Sequence, residues 1–177
     1  MFATIEREAF EKMGDEALLS ACFKPLIQTY KELSSKGSNI ASFYNKMTSG
    51  QQTLLIFRTY YSHVIESVQE LYWWSAFFLA QEPRWAALQE KMREIKDTEF
   101  VAFLQDVEAM LRTRNHPVLL TDFSCVSRDD LNLDSELRDF FELAYERLRQ
   151  ISVITNSLLA ELIRKSPESF VKWSQIE

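Results

Sequence analysis

Apolar positions recur along this chain at alternating three- and four-residue spacing, the rhythm of helices that bury one face. Between Gln51 and Gln81, the residues Leu54, Phe57, Tyr61, Val64, Val68, Leu71 and Phe78 form one such seam, opened by a Thr48–Gln51 capping box. The spacing predicts a helix over about 51–82. Leu19, Phe23, Leu26, Tyr30 and Leu33 predict another over about 15–36, bent or broken at Pro25 and stopped at Gly37. Pro83 suits the first turn of a third, about 84–113, whose seam runs through Trp85, Leu88, Met92 and Ile95. Phe100, Phe103, Val107 and Met110 resume it out of phase, which predicts a break near Asp97. The most regular pattern is Leu137, Phe141, Ala144, Leu148, Ile151, Thr155, Leu158 and Leu162, over about 134–165 with Asp134 as cap. Phe140, Tyr145, Ile154 and Leu159 widen that stripe.

Shorter terminal helices are expected over about 3–13, around Ile5, Ala9 and Phe10, and over about 167–175, docked by Phe170 and Trp173. Two long connections remain. The first, 38–47, carries Ile40, Phe43 and Met47, and the second, 117–134, carries Val118, Leu119, Leu120 and Phe123. The pattern as a whole predicts a single all-α domain over 1–177, four-helix-bundle-like, with two long connections and a short C-terminal helix.

Composition sharpens this picture at two points. With 3 Gly and 4 Pro there is little turn chemistry for a many-stranded sheet. With 13 Phe, 6 Tyr and 4 Trp, the aromatic supply exceeds what one seam consumes. Tyr72, Trp73 and Trp74 follow one another at about 100° intervals around a helix, so more than one neighbour must cover them.

Charge removes several function classes. The net charge of −6, with Lys and Arg scattered among acids, offers no basic face for nucleic acid. The N-terminus lacks the apolar core of a signal peptide, and the apolar run Leu71–Ala80 is about half a bilayer span. The amphipathic helices have no basic polar face for a membrane surface. Two cysteines suit a reduced, cytoplasmic protein better than a disulfide scaffold.

No phosphate-binding loop, dinucleotide fingerprint, zincin motif or nucleophile elbow occurs, so no catalytic motif argues for an enzyme. His116 beside Pro117 reads as a helix-end cap. Cys125 has no base near it in sequence. Two site readings remain for the aromatic helix. On a continuous helix His63, Glu66, Glu70 and Trp73 fall within about 80° of one another. They form a solvated face, a divalent-metal site, an acid and base pair beside an aromatic wall or, with Tyr60, Trp73 and Trp74, a small-molecule pocket. Alternatively Trp73, Trp74 and Phe77 form an apolar patch that a second copy or the connections cover. The expected function is association with protein, in a possible homodimer and with no cofactor. The alternative is a metal- or small-molecule-binding bundle with its site at His63, Glu66 and Glu70.

Overall fold

Helices make up nearly all the regular structure of residues 1–174, the part of the chain that this computed structural model describes. The all-α class expected from the periodicity is what is observed. None of the described helices is long and apolar enough to cross a membrane. The chain divides into two compact units, Met1–Arg58 with Asn156–Glu177, and Thr59–Thr155.

The first unit begins where the periodicity misleads. Residues Ala3–Ile5 are a strand, β1, followed by a helix α1, Arg7–Lys12, rather than one helix over 3–13. Ala3 and Ile5 are buried while Thr4 is exposed, a period of two hidden in a segment too short to announce it. At the other end, the expected helix over 167–175 is a 3₁₀ turn, Pro167–Ser169, and then strand β2, Val171–Trp173. Its last expected residue, Gln175, lies outside the described residues. β2 pairs in parallel with β1, Ala3 opposite Val171 and Ile5 opposite Trp173. Trp173 does dock, edge-on against Phe10 with ring centroids 5.2 Å apart, and Phe170 is buried.

Helix α2, Asp15–Ser35, passes through Pro25 without breaking. The lost amide costs one rung, and the Thr29 hydroxyl donates to the Pro25 carbonyl at 2.9 Å. Helix α3, Ile40–Asn45, sits in the first connection and buries Phe43. Helix α4, Ser49–Val64, opens on the predicted box: Gln51 N–H donates to Thr48 Oγ1 and Thr48 N–H to Gln51 Oε1, both at 3.2 Å. A methyl at Gly50 would meet the Phe170 ring at 2.6 Å, so any larger residue there would force that ring to shift.

The second unit contains the main correction. The helix expected over 51–82 is two helices, α4 and α5, Val68–Leu79. The Glu66 amide reaches back only to the His63 carbonyl, a tightened last turn, and Ser67 caps α5 by accepting from Glu70 N–H at 3.1 Å. The Val64-to-Val68 spacing of four runs across this break, so the apolar rhythm conceals it. Helices α6, Glu82–Glu94, and α7, Thr98–Thr113, break where predicted. Lys96 takes φ 62°, Asp97 N–H bonds the Met92 carbonyl, and the Asp97 carboxylate caps α7 through Phe100 N–H at 3.0 Å. Asn115 repeats the device after α7, at φ 55° with His116 N–H on the Leu111 carbonyl.

The second connection holds a 3₁₀ turn, Leu120–Cys125, and a one-turn helix α8, Asp130–Leu133. Helix α9, Ser135–Lys165, follows. Its predicted seam is buried from Leu137 to Thr155, then moves to Leu159 and Ile163, while Leu158 and Leu162 are half-buried. A straight helix drifts by about 20° per heptad against a strict seven-residue repeat. The same geometry leaves Ile154 54% exposed, against the expectation that it widens the core stripe.

Candidate functional site

Two apolar faces of the second unit differ in how far the chain covers them. The first is the aromatic face of α5. Trp73 stacks on Phe77, one turn away, with centroids 5.2 Å apart and planes 12° from parallel. Phe123, delivered by the 3₁₀ turn of the second connection, meets Trp73 edge-on at 5.2 Å and Phe77 at 5.3 Å. Arg128, farther along that connection, sets its guanidinium 4.5 Å from the Trp73 ring centre. It also donates twice to the Glu70 carboxylate, once at 2.9 Å. Trp74 Nε1–H donates to the same carboxylate at 2.9 Å, and its indole stacks on His63 at 3.7 Å. The Arg128 bonds lead in holding the Glu70 carboxyl below its usual range, against the burial that would raise it.

A polar hub pins the same connection to the other side of α5. Tyr72 is fully buried; its hydroxyl donates to Asp130 Oδ2 at 2.7 Å and stands 2.7 Å from His116 Nε2. His116 Nδ1 lies 3.2 Å from the Leu111 carbonyl, and Asp130 Oδ2 also accepts from Ser127 N–H at 2.9 Å. Burial, followed by Asp130, pushes the Tyr72 phenol well above its ordinary value. Burial also lowers His116, with the Leu111 carbonyl and the charges of Asp130 and Asp134 opposing. The arrangement can hold a proton, but Tyr72 is closed to any substrate. Its chemistry is that of a clasp.

The predicted site residues are therefore dispersed. Tyr60 is fully buried in the core, sharing a 2.7 Å hydrogen bond with Ser75 and packing edge-on against Phe78. With no exposed surface, its side chain is packed into the core and not presented to a ligand. Glu66 is exposed in the break between α4 and α5. Glu70 is engaged by Trp74 and Arg128 as described, and among the described residues no group of three His, Cys, Asp or Glu is disposed to hold a metal. Trp73, Trp74 and Phe77 are half-buried against their own chain. Of the connection residues expected to cover them, Phe123 does so; Leu119 and Leu120 stay 59% and 49% exposed. Phe43 and Met47 are buried in the first unit.

The second face was not singled out by the sequence. Between α7 and α9 runs a groove of about 480 Å³ floored by Phe103, Val107 and Ala144 and edged by Met110, Phe140 and Leu143. Leu143 is 75% exposed at its mouth. Arg147 closes one end, its charge already matched by Asp106 at 2.6 Å. The signal for this face was present in the pattern. Phe140, Leu143, Arg147, Gln150 and Ile154 form a second three–four seam on the flank of α9, overlooked because its middle positions are polar.

No family model matches this chain, and neither the curated proteins nor the solved structures contain a match to it.

Proposed function

We propose that this protein acts by association with another protein, and that the α7–α9 groove is the surface it uses. The observation that carries this reading is Leu143, 75% exposed beside Phe140 at the mouth of an apolar groove that no segment of the described chain fills. Leaving such a side chain in water forfeits about 1.5–3 kcal/mol relative to burying it. An apolar groove between two helices is suited to an amphipathic helix, whose leucines at i, i+3 and i+4 enter as knobs. The charge on Arg147 is neutralised within the chain, so an apolar partner meets no unpaired ion at the groove's end. A reducing compartment such as the cytoplasm suits this role, because Cys22 and Cys125 are both free thiols and Cys125 is exposed.

The test is a synthetic amphipathic helix with leucines at i, i+3 and i+4, added while amide exchange is followed across the protein. The reading expects slower exchange or shifted resonances confined to α7 after Asp106 and to α9 around Phe140–Arg147, and loss of both in Leu143→Glu. Binding that is unchanged in Leu143→Glu, or protection mapped to α5 instead, contradicts it.

A further inference from the structure

Independently of the association reading, we propose that the first unit carries a binding site for a small zwitterion with an apolar side chain, a free amino acid or a dipeptide with free ends. The site is a cavity of about 550 Å³ between α1 and the segment that runs from the last turn of α9 into β2. That volume falls within the roughly 300–1,000 Å³ of small-molecule sites. Phe10, Pro167 and Trp173 give the cavity an apolar wall, with Trp173 still 37% exposed. Arg7, Glu11 and Glu168 give it charges of both signs.

These charges are held apart by the protein's own contacts. Arg7 and Glu11 stand one turn apart on α1, the spacing at which opposite charges pair, and the order Arg before Glu weakens such a pair without forbidding it. Glu8 and Lys12 do pair at that spacing in the same helix. Arg7 instead sets its guanidinium 5.0 Å from the Trp173 ring centre, a cation–π contact that supplies it with no carboxylate. The cations at the end of α9 are committed elsewhere. Arg164 donates to Asp15 Oδ1 at 2.7 Å and to the Met13 carbonyl at 3.0 Å, and Lys165 pairs with Glu161 at 2.9 Å. Arg7, Glu11 and Glu168 therefore have no ion pair among the described residues.

The mixture of signs selects the ligand. A simple anion entering the cavity would meet Glu11 and Glu168, and a simple cation would meet Arg7. A zwitterion answers all three: its carboxylate takes the N–H groups of Arg7, its ammonium goes to Glu11 and Glu168, and its apolar side chain lies against Phe10, Pro167 and Trp173. No ion pair within the protein has to break first, so the charges are already arranged for binding.

The experiment titrates the full chain with leucine and, separately, with leucyl-leucine, while backbone amide resonances are followed. Saturable shifts confined to residues 7–11 and 164–173 are expected with at least one of them. Leucine alone makes the ligand a free amino acid, and leucyl-leucine alone makes it a dipeptide. Controls that each lack one charge are isoamylamine and isocaproate for leucine, and the C-amide and N-acetyl forms for leucyl-leucine. Each is expected to bind roughly tenfold more weakly, the worth of one charge-assisted hydrogen bond. Arg7→Gln and Glu11→Gln, both at exposed positions outside the core, are expected to weaken binding to a similar degree. No saturable shift in those residues with either zwitterion overturns the site. Binding of a one-charge control as tight as that of its parent, or binding unchanged in both variants, overturns the zwitterion as its ligand.

Discussion

The aromatic face of α5 and the flank of α9 began as comparable apolar surfaces, yet one is closed by its own chain and the other is open. The difference lies in what the connections carry. The segment from Asn115 to Leu133 brings Phe123 and Arg128 onto Trp73 and is fastened at two points by the Tyr72 hub. Among the described residues no comparable segment covers Leu143, which is 75% exposed. Hydrophobic content alone therefore does not mark an exposed face in this molecule; a large aromatic cluster is half-buried under side chains of its own chain, while a sparser seam leaves Leu143 and Ile154 facing solvent. The lesson is that an apolar surface must be weighed against the side chains of the loops that can reach it.

The largest test of this contrast is Phe123→Ala. Removing a buried ring that bridges Trp73 and Phe77 is expected to cost about 3 kcal/mol in urea denaturation. A cost below that of an exposed substitution would mean the connection does not close the aromatic face. Next comes Tyr72→Phe. It removes the hydroxyl that joins the half-buried Asp130 and His116, and the lost hydrogen bonds are expected to cost about 1 kcal/mol. Hydrogen exchange should show the loss concentrated in residues 115–133.

Arg128→Ala is smaller, about 0.5–1 kcal/mol, because its cation–π contact with Trp73 is partly exposed. The same variant should alter tryptophan emission, which Leu143→Ala should leave unchanged. The hub also gives a pH test with a definite sign. Burial disfavours the charged imidazole, so the folded value of His116 lies below its ordinary 6.5. Stability from the neutral form is therefore present above that ordinary value and lost as pH falls through the lowered one. Comparing urea midpoints of the wild type and His116→Asn between neutral and acid pH should show a steeper loss in the wild type, the slope left in the variant coming from carboxylates such as Glu70. The smallest effect is on the open face. Leu143→Ala should change stability by no more than about 0.5 kcal/mol, as for any surface substitution away from packing.

Much of this architecture is legible in the amino-acid pattern, and the failures have physical causes. The break at Asp97 is readable because the seam changes phase there and an Asp stands ready to cap. The break after Val64 is not readable from the seam, since Val64 and Val68 keep helical spacing across it. Its signal is Ser67 three residues before Glu70, the capping pattern, which competes with the apolar rhythm and wins. The two strands escaped notice because each is three residues long, too short for an alternation to be told from a helix, and only the first alternates in burial. Of the expected site, His63, Glu70, Trp73 and Trp74 do come together, but as a stack and an ion pair. Tyr60 and Glu66 do not join them, one because it faces the core, the other because the helix that would have aligned it ends first. Phe123 and Arg128 complete the cluster from about 50 residues away, a long-range pairing that no local spacing encodes.

The most direct test of the claim that the α7–α9 groove, and not the aromatic face, is the associating surface is a titration of two variants, side by side with the wild type, with the synthetic amphipathic helix. Leu143→Glu is expected to lose the binding expected of the wild type, and Trp73→Phe to keep it unchanged. The reverse pattern, binding indifferent to Leu143→Glu and weakened by Trp73→Phe, would return the interface to α5 and contradict the account.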